Sequence, residues 1–437
     1  MKICVVALGK IGLPLAVQFA SKGHTVVGVY VNHATVDAVN AGREPFPGED
    51  HLQEKLSQLV PSGALRATTD YGDAVPGADA VVLVVPLFVD EEGTPDFGWM
   101  DAATTSLATH LTAGTLVSYE TTLPVGTTRT RWKPLIEQVS GLREGVDFHL
   151  VFSPERVLTG RVFADLRKYP KLIGALSTQG AAVATRFYEA VIDFDDRPDL
   201  ARPNGVWDLG STEASELAKL AETTYRDVNI GLANQFARFA AANGIDIHKV
   251  IEASNSQPYS HLHQPGMSVG GHCIPVYPRL YLWNDPDATV VRAARAANAG
   301  MPAYTVGLAA GAAGGDLSGT RVVVLGAAYR GGAKETAFSG VFAAVDELAA
   351  RGAVVMVHDP LYTDEELARH GWAPYRFGEP VEVAIVHTDH AEYAALTSDD
   401  LPGLTVLVDG RARIDPARFP GVRVVTVGKP DYAAREA

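Results

Sequence analysis

A chain of 437 residues with 37 Lys and Arg against 51 Asp and Glu carries a formal charge of −14, and 47% of it is hydrophobic. A single core rarely grows past roughly 250 residues, so at least two are expected, and the composition excludes a mainly disordered or fibrous chain. The acidic balance argues against sequence-independent nucleic-acid binding, which needs clustered cations to displace counterions. Cys4 and Cys273 offer no disulfide framework, so a reducing cytoplasm is the expected compartment. No Cys/His spacing resembles a zinc site, and no metal is expected. The opening MKICVVALGKIGLPLAV is apolar, but Gly9, Gly12 and Pro14 interrupt it. With no spanning run of about 20 apolar residues, neither a signal peptide nor a membrane partner is expected.

In chain order, residues 2–7 are a β-branched run, followed by a Gly-rich turn and a helical pattern over 13–21; after Gly23 a second strand over 25–31 completes a βαβ unit. A further run over 80–85 reads as a buried parallel strand, so the first part of the chain is expected to be doubly wound. From 211 to 243 the sequence predicts one long amphipathic helix carrying Leu217, Leu220, Val228, Leu232, Phe236 and Phe239, with Thr212 as N-cap and Gly244 as its stop. Its length fits an element that bridges domains or subunits. A second strand–turn–helix–strand pattern follows at 321–328, 341–351 and 353–358, linked by the Gly- and Ala-rich stretch 311–319. The expected fold is therefore α/β: two Rossmann-like domains joined by a long central helix and a helical middle region. The expected boundaries are 1–200, 201–310 and 311–437.

Around the first turn the chain reads Ala7-Leu8-Gly9-Lys10-Ile11-Gly12, two of the three glycines of a dinucleotide fingerprint. Gly9 would let the backbone approach a pyrophosphate and Gly12 would allow close helix packing; an ordinary tight turn is the alternative. At the end of the second strand, where an acidic residue would bind a ribose, stands Tyr30, which can stack or share one hydrogen bond but cannot replace a carboxylate. Cys273 lies in the Gly-rich segment GMSVGGHCIP (residues 266–275), where backbone can approach a ligand closely. Its thiol reads either as a nucleophile or as an unreactive loop side chain. His272 beside it reads as a base, a metal ligand or a surface residue, whereas Cys4 in its apolar strand reads as packing.

Taken together, the segments VVALGKIGLPLA (5–16), ETTLPVGTT (120–128), SPERVLTG (153–160), KLAETTYRDVNIGLAN (219–234), VGGHCIPV (269–276) and VLGAAYRGG (324–332) occur in fixed order. Over nearly its whole length the chain resembles the UDP-glucose/GDP-mannose dehydrogenase family of nucleotide-sugar 6-dehydrogenases, and VGGHCIPV is similar to the branch acting on UDP-N-acetylhexosamines. The resemblance implies an NAD-dependent oxidoreductase that converts the C6 alcohol of a UDP-sugar, of UDP-N-acetylhexosamine or UDP-glucose type, to the uronic acid through a thiohemiacetal and thioester on Cys273. It assigns catalytic roles to Cys273, Lys219, Glu155 and Thr122 and cofactor contacts to Gly9, Lys10, Ile11, Gly12, Tyr30, Pro86 and Thr122. Substrate contacts would come from Glu155, Lys219, Thr223, Gly266, Gly270 and Arg330. It implies dinucleotide binding in the first domain, dimerisation and the Lys and Cys loop in the second, and UDP-sugar binding in the third. The partners implied are a UDP-sugar and a second copy of the chain in a homodimer.

The sequence also departs from the family pattern. Thr223 replaces an asparagine, Tyr277 an aspartate, Ser268 a loop glycine, Tyr259 an arginine and Arg330 a lysine. On the cofactor side Ala7, Tyr30, Leu87 and Ala337 stand where the family has glycine, an acid, threonine and arginine. NADP becomes conceivable with the acidic repulsion gone, although only Asn32 and His33 lie near Tyr30 to meet a 2′-phosphate. A second function class therefore stays open: a divergent member with impaired NAD use that binds nucleotide sugars or performs a non-redox reaction.

Overall fold

Short β-branched runs form the strands of the first sheet: β1 (Lys2–Val6), β2 (Thr25–Val29), β3 (Leu65–Thr68), β4 (Ala80–Leu83), a two-stranded hairpin of β5 (Phe88–Val89) and β6 (Pro95–Asp96), then β7 (Leu116–Tyr119), β8 (His149–Phe152), β9 (Lys171–Ala175) and β10 (Val206–Asp208). The computed structural model describes residues 1–90 and 93–431. The order across the main sheet is β10-β9-β8-β7-β4-β1-β2-β3, parallel throughout except between β8 and β9. Because side chains alternate along a strand, β1 sends Ile3 and Val5 into one core with Leu15 and Phe19, and Cys4 and Val6 into another with Tyr119 and Trp132. Burial pushes the Cys4 thiol up to about 12, which makes it inert packing. These elements belong to the first of two compact units, Met1–Glu222 and Thr223–Ala437.

The long helix spans Thr212–Ala242. Its N-terminus differs from the expectation: the Ser211 hydroxyl accepts the Ala214 N–H at 3.1 Å, while Thr212 lies inside the helix and donates to Glu213. At the other end Gly244 has φ +69°, its N–H reaches Ala241 O and that of Ile245 reaches Ala240 O, the paired bonds of a Schellman stop.

The expected apolar face also divides. Leu220 is buried, but Leu217, Leu232, Phe236 and Phe239 are exposed. Within the second unit the helix buries Asp227, Gly231, Ala233, Asn234, Ala237 and Ala240 instead. Asp227 receives Arg295 and Asn298, each at 2.7 Å, and Asn298 accepts from Asn234 at 2.9 Å. A Cβ on Gly231 would stand 3.0 Å from Ala294 O, so close helix packing, not apolar bulk, selects that face. The 311–319 stretch is not wholly a link, since the helix Met301–Ala312 runs into it.

The second sheet is built from β11 (Arg321–Leu325), β12 (Val354–His358), β13 (Ala373–Pro374), β14 (Val383–Val386), β15 (Val406–Asp409) and β16 (Arg423–Thr426). Its order is β13-β12-β11-β14-β15-β16, parallel at every pairing. Two Rossmann-like sheets and a helical middle match the expected architecture.

Candidate functional site

Ligands in open parallel sheets bind beyond the carboxyl ends of the strands, where the strand order changes direction. In the first unit that point lies at β1, between β2 and β4. The turn after β1 begins with Ala7 at φ +75°, a left-handed backbone that glycine adopts without penalty. A Cβ on Gly12 would stand 1.9 Å from Ala7 O, whereas one on Gly9 would meet nothing within 4 Å. Gly12 is thus required by the turn itself, while the space beside Gly9 is open. Lys10 is exposed and Ile11 packs against the core. The helix Gly12–Ser21 starts here with no acidic residue in its first turn, leaving its positive end available to a phosphate.

Tyr30 follows β2 and packs against both cores. Asn32 caps the next helix, its Oδ1 accepting the Thr35 N–H at 3.2 Å. Pro86 follows β4 and is exposed. The cradle fits the pyrophosphate of a dinucleotide; Tyr30 offers the ribose no carboxylate.

Two further expected residues lie on the same strand ends. Thr122, which follows β7, is buried, and its segment is held from behind by Glu216, which accepts the N–H groups of Gly126 at 2.5 Å and Thr128 at 2.9 Å. Glu155 follows β8. Its Oε1 accepts the N–H of Arg156 at 2.7 Å and of Val157 at 3.2 Å, and its Oε2 accepts Lys171 Nζ at 2.9 Å. Lys171 also donates to Glu120 Oε2 at 2.8 Å, and Tyr188 donates to Glu120 Oε1 at 2.6 Å. Burial pushes Glu155 up, but the charge and hydrogen bond of Lys171 and the Arg156 N–H outweigh it and hold the carboxyl below its usual range. Burial dominates at Glu120 and raises it to about 7.

Lys219 lies on the long helix and is 7% exposed. Its Nζ is 3.6 Å from Glu222 Oε1, and Glu222 in turn accepts Arg156 Nε at 2.8 Å. Arg156 and Glu222 therefore connect the Glu155 loop to Lys219. Sequence reasoning missed Glu120, Lys171 and Tyr188. The available signal was a lysine heading the otherwise apolar strand KLIGA, and Glu120 beside the threonines of ETTLPVGTT.

The remaining residues belong to the second unit. Thr223 is buried on the long helix. Cys273 is free and exposed and lies just before the helix Tyr277–Asn284, its carbonyl accepting the Tyr277 N–H at 2.9 Å. Gly270 and Gly271 hold the loop against another segment: a Cβ on Gly270 would stand 2.5 Å from Tyr329 Cβ, and Gly271 has φ +92° and donates to Ala337 O at 2.8 Å. His272 is exposed, with Nε2 3.8 Å from Glu335. Gly266 donates to Asn234 at 3.0 Å. Ser268 turns inward to His387 at 3.0 Å and Arg411 at 3.2 Å, so its hydroxyl stabilises the second unit. Arg330 is half-buried, and its Nε donates to the Tyr329 hydroxyl at 3.3 Å. Tyr259 is 93% exposed.

Three domain profiles of the UDP-glucose/GDP-mannose dehydrogenase family match the chain: the NAD binding domain over 1–192, the central domain over 213–299 and the UDP binding domain over 323–416. The UDP-N-acetyl-D-mannosamine dehydrogenase of Pyrococcus horikoshii is 33% identical over 422 residues, covering 94% of this chain and 95% of that protein. The solved structure of the UDP-D-ManNAc dehydrogenase from Pyrococcus horikoshii superposes with a TM-score of 0.86 at 31% identity, over 98% of this chain and 99% of that one. A UDP-glucose dehydrogenase from Pyrobaculum islandicum gives a TM-score of 0.84 at 27% identity, over 98% and 97%.

Proposed function

The chain belongs to the UDP-glucose/GDP-mannose dehydrogenase family and is an NAD-dependent nucleotide-sugar dehydrogenase, and we propose that it oxidises the C6 alcohol of UDP-N-acetylmannosamine to the uronic acid through a covalent intermediate on Cys273. The observation that carries this reading is the exposed Cys273 thiol on a loop fixed by Gly270 and Gly271. When bound, NAD accepts a hydride in each of two oxidations, which the cradle at Gly9, Lys10, Ile11 and Gly12, with Tyr30, Pro86 and Thr122 around it, would serve. Between the two, the Cys273 sulfur adds to the C6 aldehyde as a thiohemiacetal; loss of the second hydride leaves a thioester, and water releases the acid and regenerates the thiol. Lys219 places a cation where an oxyanion develops. Glu155 and Thr122 orient the attacking water and the sugar hydroxyl. Thr223, Gly266, Gly270 and Arg330 complete the substrate contacts.

A partition at 1–200, 201–310 and 311–437 is supported by one family profile falling chiefly within each part. The exposed row Tyr225, Leu232, Phe236 and Phe239 on the long helix supports a homodimer through that face. Among the described residues no helix is long and apolar enough to cross a membrane, and with both cysteines free we assign the reaction to the cytoplasm.

The test is incubation of the protein with NAD or NADP and each of UDP-N-acetylmannosamine, UDP-N-acetylglucosamine and UDP-glucose, reading reduced nicotinamide and sugar acid together. Two NAD reduced per acid, with acid formation lost in Cys273→Ser, is the expected result. Unchanged acid yield in that variant removes the thioester. Binding of a UDP-sugar with no cofactor reduction favours a divergent member in which Tyr30, Tyr277 and Ala337 have ended the redox step.

A further inference from the structure

A buried lysine shared by two carboxylates is a poor way to gain stability. Removing three charges from water costs several kcal/mol per ion, and an apolar trio of similar volume would serve a core better. Yet Lys171 and Glu120 are 4% and 1% exposed, while Glu155, the third member, is half-buried. The cluster is anchored in the interior and reaches the surface through Glu155.

We propose that Lys171, bridging Glu120 and Glu155, is the positioning residue that aims and holds the Glu155 carboxylate for the oxidation. The inference rests on the reading that Glu155 orients water or a sugar hydroxyl, and extends it to two residues that carry no assigned role. Lys171 heads β9, and its ammonium lies 4.9 Å over the Tyr188 ring. From there it reaches Glu155 at 2.9 Å and Glu120 at 2.8 Å. Tyr188 fixes the far oxygen of Glu120 at 2.6 Å and is itself paired with Ser118 at 2.7 Å.

Both Glu155 oxygens are thus pinned from the protein side, Oε1 by two N–H groups and Oε2 by Lys171, and Oε2 retains lone-pair capacity for a water or hydroxyl. The other charged groups around Glu155 are already engaged: Arg156 with Glu222, Lys219 near the same Glu222, and Asp165, which accepts the Leu158 N–H and pairs with Arg161. Glu120 supplies the variable charge. When it ionises, Lys171 divides between two carboxylates; when it is protonated, Lys171 is committed to Glu155. With Glu120 raised by burial to about 7, that redistribution falls near neutral pH.

The experiment uses the full chain and the variants Lys171→Met, Lys171→Arg and Glu120→Gln. Steady-state rates over a range of pH are read beside a carbon-13 NMR titration of labelled glutamate carboxyls, assigned with Glu120→Gln and Glu155→Gln. We expect Lys171→Met to lower kcat about 100-fold, the scale of a misplaced catalytic group, with KM for the sugar little changed. The same variant should raise the titration of Glu155, and Lys171→Arg should recover most of both. Glu120→Gln should remove a rate inflection near pH 7.

Wild-type kcat and an unmoved Glu155 titration in Lys171→Met overturn the proposal. If that variant does not fold, Glu120→Gln decides: an unchanged pH profile together with an unchanged Glu155 titration overturns it. If the wild type reduces no cofactor with any UDP-sugar, the functional reading fails, and the NMR titration still decides whether Lys171 controls Glu155.

Discussion

At the end of β1, Ala7 donates its N–H to Val29 O at 2.9 Å; at the end of β11, Gly326 donates to His358 O at 2.7 Å. Both residues have positive φ, +75° and +108°, so the two Rossmann-like sheets open their first turns from the same register. The residue after the second strand is Tyr30 in one and Asp359 in the other. In the second unit Asp359 Oδ2 accepts the N–H groups of Ala327 at 2.8 Å and Ala328 at 3.0 Å, its Oδ1 accepts Leu361 N at 2.9 Å, and His390 lies 3.1 Å away. Burial pushes its carboxyl up, but these bonds outweigh it and hold it below the usual range. The strand-end acid that a dinucleotide site would offer to a ribose is spent on the turn's own amides. In the first unit Tyr30 brings no carboxylate to that strand end, and Gly9 faces open space. One architecture therefore yields a turn that keeps its phosphate-binding end and another that closes on itself, and a single residue after the second strand marks the difference.

The largest expected effect separates the two glycines. Gly12→Ala, with its Cβ 1.9 Å from Ala7 O, and Gly326→Ala, with its Cβ 2.2 Å from Thr388, should each lose about 3 kcal/mol of stability in denaturant unfolding. Only Gly12→Ala should also weaken NAD in calorimetric titration, and equal weakening by both would erase the contrast. Next, Asp359→Asn replaces an acceptor oxygen with a donor against buried amides and should cost about 2 kcal/mol without changing NAD affinity.

Acid should weaken the second unit further. Burial, with Arg411 nearby, lowers His387 from 6.5 to about 3, so the unfolded chain binds a proton that the folded one refuses. Its contribution is present above pH 6.5 and lost as the pH falls from 6.5 toward 3, by up to about 1.4 kcal/mol per unit; a His387→Gln variant should show a shallower acid slope. Tyr30→Asp should tighten NAD about tenfold, the value of one good polar contact, and leave NADP behind. The smallest effect is Ala7→Gly, where relief of the left-handed strain less the added chain entropy leaves a gain of about 0.5–1 kcal/mol, read as a higher melting temperature.

Much of this was legible from local pattern. The strands around Ile3, Val27 and Val323 are short apolar runs whose form depends on neighbours in sequence, and the Gly9–Gly12 turn and the GGHC loop announce themselves by glycines at fixed spacing. The long helix was legible in extent but not in orientation. Its large residues Leu232, Phe236 and Phe239 predicted a single apolar face, yet Asp227, Gly231 and Asn234 are the ones that pack against the rest of the second unit, because their small size and hydrogen bonds suit close contact with the residues around Ala294 and Asn298.

By itself the sequence determined the Rossmann-like character of the two sheets and the family, and pointed to the residues of the candidate site, since each is carried by short-range periodicity or by a motif. The tertiary structure alone decided how those residues are held. Glu120, Glu155, Lys171 and Tyr188 come from four separate segments and meet only when β7, β8 and β9 pair and a helix packs over them. Asp359 meets the amides of Ala327 and Ala328 only when β12 lies beside β11. Charge and hydrogen bonding act over a few ångströms in space, and no spacing along the chain encodes which distant groups will come that close.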